Sequence, residues 1–156
     1  MRSGIRVACL LALAIGSVSC GSRGGVPISI NRRAALRGNL PWDPLRWNVI
    51  TSLVDQRQST MSTLYGNPAA VSYARTRGGS DYPAGCVLSL VTWTQQPDPH
   101  WFGARIPADV KSVEFVSVDP GASSYEIYTG SPLARSSTPE DGRAEYLRSL
   151  RAAVMP

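Results

Sequence analysis

The sequence predicts an α+β domain: an antiparallel β-sheet of about five strands, one helix inserted early and a second helix at the carboxyl end. Three observations predict it. Short runs of β-branched and aromatic residues recur between turns built from Gly, Pro, Asn and Asp. One helix-permissive stretch, 69–77, is bracketed by Asn67-Pro68 and Gly78-Gly79. Near the end Leu147, Leu150 and Val154 recur at helical spacing. Strands gathered around few helices, without regular β-α-β alternation, imply an antiparallel sheet.

Residues 47–54 (WNVITSLV) read as the first strand, with a short helix over 45–54 as the alternative. A polar turn at 55–58 leads into 59–65, where polar and apolar residues alternate as in a strand with one buried face. Asn67 is placed to cap the early helix and Pro68 to occupy its first position, so that Val71 and Ala74 face the sheet and Arg75 and Arg77 face out. The stretch 82–105 holds half the tryptophans and the only histidine. Its strand 86–93 is almost continuously apolar, which predicts a central strand covered on both faces. A polar loop through Pro97 and Pro99 follows, then His100-Trp101-Phe102, with 106–109 read as loop. Residues 113–118 and 124–128 form a hairpin across Asp119-Pro120-Gly121-Ala122. The terminal helix opens at Thr138-Pro139-Glu140-Asp141.

Residues 1–19 have the three-part form of a signal peptide, with Arg2 and Arg6, an apolar run over 7–15, and then small residues before Cys20. The site resembles a bacterial lipobox, although Ser17 stands where leucine is usual. An ordinary cleaved signal is the alternative. The expectation is lipidation at Cys20, a Gly/Ser/Arg-rich tether over 20–40 and a folded domain over 41–156. Acyl chains bury about 0.8 kcal/mol per CH₂, so such an anchor holds permanently. Gly21 follows the cysteine rather than aspartate. The expected address is therefore the bacterial cell envelope, as an outer-membrane lipoprotein facing the periplasm or the exterior.

The formal charge of +5 falls to +3 without Arg2 and Arg6. No basic run extends beyond Arg32-Arg33, so nucleic acid is not an expected partner. Cys9 belongs to the leader and Cys20 to the anchor. Cys86 is then the single thiol of the domain, which cannot form an internal disulfide and must rely on its core.

With the strands in place, 60–67 (TMSTLYGN), the helix 69–77, 82–88 (YPAGCVL), Val91-Thr92-Trp93, 100–107 (HWFGARIP) and Ser112-Val113-Glu114 together resemble the cytochrome P-460 family, which includes the β-type cytochromes c′. The resemblance spans about 40–133. It implies an antiparallel sheet with few helices, a homodimer and one haem in a side pocket. Members bind that haem through Cys-x-x-Cys-His near the carboxyl end, by two thioethers and an axial imidazole. Neither cysteine nor histidine follows Tyr128 here, and one thiol cannot supply two thioethers. The lysine that cross-links haem in hydroxylamine-oxidising members lies near the end of the early helix, where this chain has Arg75 and Arg77. Lys111 lies elsewhere. The resemblance thus transfers the fold without covalent haem, and no cofactor is expected.

The candidate site residues are Tyr82, Trp93, His100, Trp101, Phe102 and Arg105, whose rings would line a small-ligand pocket. The bland reading makes the aromatics the sheet's own core. His100 is the candidate axial ligand for a haem held non-covalently, against a loop-edge histidine bonded to a carbonyl. Cys86 reads as a small core residue rather than an iron ligand. Asp98, Asp109 and Glu114 form no recognised metal loop, so no metal is expected. Arg105 is expected to pair with Glu114 across neighbouring strands. No catalytic constellation is visible: there is no Gly-x-Ser-x-Gly elbow, and any triad would need His100. The sequence therefore points to an envelope module that binds a small ligand or a protein. The alternative is a redox protein with non-covalent haem on His100, related to cytochromes that handle hydroxylamine or nitric oxide.

Overall fold

The computed structural model describes residues 30–76, 78–137 and 141–153. The leader, Cys20, Arg77, 138–140 and Val154, all used in the sequence reading, lie outside the described residues. From Asn31 onward the chain forms one body.

Six antiparallel strands lie in sequential order: β1 (Asn48–Asp55), β2 (Thr60–Gly66), β3 (Val87–Pro97), β4 (Arg105–Asp119), β5 (Ala122–Thr129) and β6 (Ala134–Arg135). Helix α1 (Pro68–Thr76) follows β2, and α2 (Arg143–Ser149) follows β6. The α+β class holds. The five long strands are those read from the sequence, and β6 adds two residues that pair with Tyr128 and Thr129.

Helix α1 begins as its sequence dictates. Pro68 needs no intrahelical donor partner at the first position, and the Asn67 side chain accepts from Ala70 N at 3.0 Å. The Asn67 amide also donates to Gly85 O at 2.8 Å, which fixes the turn before β3. Val71 and Ala74 are buried against the sheet while Arg75 is exposed. Gly66 permits this packing, because a Cβ there would sit 2.8 Å from Ile50 Cδ1 and 3.0 Å from Ala70 Cβ.

The sheet has two covered faces because successive strand residues point to opposite sides. On the helix-bearing face Leu64, Leu88, Leu90 and Val116 pack with α1 and with Leu147 of α2. On the other face Val91, Trp93, Val113, Phe115 and Tyr128 are covered by Ala34, Leu36, Leu40 and Trp47. The sequence assigned 31–40 to the tether, and the structure instead fastens this segment onto the sheet. Trp93 Nε1 donates to Ala34 O at 3.0 Å, Leu133 N donates to Arg37 O at 2.6 Å, and Gly38 bridges Leu133. Gly38 adopts φ +147° so close to Leu133 that any Cβ would collide with its carbonyl. Low hydropathy hid the segment: a few small apolar residues suffice when a tryptophan supplies the buried area.

The second correction concerns 106–109. These residues belong to β4, which is fifteen residues long, and do not form a loop. Pro107 reads as a strand breaker, but the register slips beside it, and a bulge tolerates a residue without a backbone donor. The third concerns α2, which ends at Ser149. Leu150 is extended and closes the helix, and its side chain packs against the same core as Leu147 from outside the helix.

Candidate functional site

The register of the central strands builds a polar floor on the helix-bearing face. Residues directly opposite in an antiparallel pair share a face. Ser62, Thr92 and Ser112 are opposite one another across β2, β3 and β4, and the Ser62 and Thr92 hydroxyls lie 2.9 Å apart. The next row inward is Leu64, Leu90, Glu114 and Ile127. Helix α2 covers only part of this face. The rest opens as a groove of about 840 Å³, floored by the hydroxyl row with Leu90 and Ile127. Arg57, Gln58 and Lys111 stand on one side and Glu114, Arg143 and Tyr146 at the α2 end.

Glu114 is a carboxylate in an apolar row, and at 2% exposure it must be paired. Arg143 reaches down from α2 and donates from Nε to Oε2 at 2.9 Å and from Nη2 to Oε1 at 2.7 Å. Tyr125 OH donates to Oε2 at 2.8 Å. The hydrogen bond to Glu114, followed by the carboxylate's charge acting against burial, raises the Arg143 pKa above its ordinary value. Burial comes first for Tyr125, followed by the same carboxylate, and holds its hydroxyl well above the usual tyrosine range. The cluster is therefore a fixed ion pair with a neutral phenol, and the Arg143 guanidinium also stacks 4.8 Å from the Tyr146 ring centroid. A fork that binds one carboxylate bidentately ends the groove with preorganised polarity.

The sequence-predicted pocket is not assembled. Tyr82 is buried on the helix-bearing face, with its ring centroid 4.8 Å from that of Tyr73, while Trp93 is buried on the opposite face. His100, Trp101, Phe102 and Arg105 are exposed on or beside the β3–β4 loop. None of the six lines the groove. The bland reading of Tyr82 and Trp93 as core is what the structure shows. Arg105 does not meet Glu114, since both belong to β4 and lie nine residues apart, roughly 30 Å along a strand. Arg143 is the residue the sequence reading missed. The available signal was Glu114 itself, a lone acid inside the buried run Val113–Val116, which demands a cationic partner.

Among the described residues no group of three or more His, Cys, Asp or Glu could hold a metal ion. A haem seated in this groove would need an axial donor there. His100 is not among the lining residues, and Cys86 is fully buried in the core, where burial pushes its thiol pKa up. The described residues lining the groove thus offer iron neither imidazole nor thiolate.

No curated protein matches the chain. The family model Cytochrome P460 matches residues 44–129, more than half of the chain and the span from the turn before β1 to the end of β5. Helix α2 and Arg143 lie beyond that span. By that match, and with the antiparallel sheet and early helix the resemblance implied, this chain belongs to the cytochrome P460 family.

Proposed function

We propose that this protein is an exported, lipid-anchored envelope module that binds a small, oxygen-rich anionic ligand in the groove between the β1–β2 hairpin and α2. The observation that carries the reading is the hydroxyl floor of Ser62, Thr92 and Ser112, flanked by Arg57 and Lys111 and closed by the Arg143–Glu114 pair. Its volume of about 840 Å³ falls in the range of small-molecule sites. Arg57 and Lys111 carry positive charge at the rim, and Lys111 Nζ is positioned by Gln58 Oε1 at 3.4 Å. Hydroxyls and cations suit the recognition of an oxygen-rich anion. The leader and Cys20 supply the address: export, lipidation and retention at the outer membrane.

Ligand-observed NMR with a fragment set of small carboxylates, phosphates and neutral polyols tests the binding. Carboxylates and phosphates should bind wild type and lose about ten-fold or more in affinity in Lys111→Glu. Fragment binding that is absent, or indifferent to that change, contradicts the reading. Mass spectrometry of the amino-terminal peptide from the exported protein tests the anchor, with a diacylglycerol-modified Cys20 as the expected result and an unmodified amino terminus against it.

A further inference from the structure

The longest hairpin of the sheet ends in two bare aromatic rings. β2 stops pairing with β3 at Thr94 and β5 stops pairing with β4 at Ser112, yet β3 and β4 stay paired out to Pro97 and Arg105. The arm projects roughly 10 Å past its β2 neighbour. Its tip holds Trp101 at 73% exposure and Phe102 at 109%, the most exposed aromatic side chains among the described residues. The tip is an ordered turn rather than slack chain. Asp98 N donates to Ala104 O at 3.0 Å, Ala104 N to Trp101 O at 3.1 Å, and His100 N to Asp98 Oδ1 at 2.8 Å. Displaying adjacent large rings to water is unfavourable unless something covers them.

We propose that the β3–β4 tip inserts Trp101 and Phe102 into an anionic lipid surface, so that the domain docks on the membrane by its arm as well as by its anchor. The start of the body is fastened to this same arm. Asn31 Nδ2 donates to Pro107 O at 2.6 Å, Arg33 Nη1 to Gln96 Oε1 at 2.9 Å, and Arg33 Nε to Asp109 Oδ1 at 3.1 Å. The ten Cα–Cα steps from Cys20 to Ile30 span at most about 35 Å when extended. A lipid on Cys20 therefore confines the arm near the bilayer, and to this extent the inference rests on the anchor reading above.

Charge points the same way. Arg32, Arg33 and Arg37 border a hollow beside the arm, and Arg105 closes its last rung. Asp109 offsets Arg33 by pairing with it, and Asp98 accepts from the His100 amide, so Arg32, Arg37 and Arg105 carry the surplus positive charge. Each arginine near an anionic surface strengthens binding roughly five-fold at physiological salt. An amphipathic ring such as tryptophan seats at the headgroup level, and phenylalanine goes deeper.

The test reconstitutes the exported full chain with vesicles of phosphatidylethanolamine and phosphatidylglycerol carrying brominated acyl chains, and reads tryptophan emission. Quenching should exceed that with unbrominated lipid, fall to background in Trp101→Phe, and drop about five-fold or more in Arg105→Glu or at high salt. Both variants change exposed side chains, and unchanged circular dichroism verifies their fold. An unquenched wild type overturns the docking whether or not Cys20 carries lipid. Quenching by a protein whose amino-terminal peptide proves unmodified keeps the docking and removes the anchor. A dimer in sedimentation that Trp101→Ser dissociates, with no quenching, assigns the tip to a second copy and overturns the lipid surface.

Discussion

Arg143 on α2 holds both oxygens of the Glu114 carboxylate on β4, with contacts of 2.9 and 2.7 Å. The contact ties a helix outside the family match to the central sheet inside it. It also fixes the inner end of the groove.

Arg143→Ala leaves Glu114 buried and without its bidentate partner. Breaking a buried pair from one side costs about 3 to 5 kcal/mol, and the partial exposure of Arg143 places this case near the lower figure. Arg143→Leu combined with Glu114→Met should cost far less than either single change, because it removes both charges. Urea unfolding of the two singles and the double measures the coupling, and additive losses would contradict it.

Alkali should destabilise the fold through Tyr125. The folded hydroxyl is held above its ordinary 10.0, first by burial and then by Glu114. The folded chain therefore keeps a proton that the unfolded chain releases, so this stabilisation is complete below about pH 10 and declines as pH rises beyond it. Thermal melting from pH 8 to pH 12 should fall steeply above pH 10 in wild type and less steeply in Tyr125→Phe. Parallel curves for the two would refute the assignment.

Ser89 Oγ is fully buried on β3 and has no hydrogen-bond partner among the described residues. Ser89→Ala removes an unsatisfied hydroxyl with little change of shape, so it should stabilise by about 1 kcal/mol. The midpoint of urea unfolding reports it, and a loss of stability would mean that the hydroxyl is satisfied in solution.

The five long strands and the capped helix α1 were legible because their signals are local: alternation, β-branched runs, Asn67-Pro68 and flanking glycines. The covering segment 31–40 was not, because what holds it is a distant tryptophan, Trp93, reaching Ala34 across the sheet. Pro107 misled for the reason it is tolerated, since the bulge that accepts it leaves no mark in the sequence. The groove was illegible as well. Its floor depends on a register that brings Ser62, Thr92 and Ser112 opposite one another from three strands, and each hydroxyl alone looks like surface. The aromatics singled out from the sequence were divided by strand parity and loop position: Tyr82 and Trp93 went to opposite cores, and Trp101 and Phe102 to the tip of the arm.

We propose that this cytochrome P460 sheet serves as a binding groove rather than as a haem site. The absorption spectrum of the exported protein, purified from cells supplied with haem and dialysed, tests it most directly. No Soret band is expected above the trace removed by dialysis. A stoichiometric Soret band that persists after dialysis and vanishes in His100→Ala would contradict it, and so would colour that resists acid-acetone extraction.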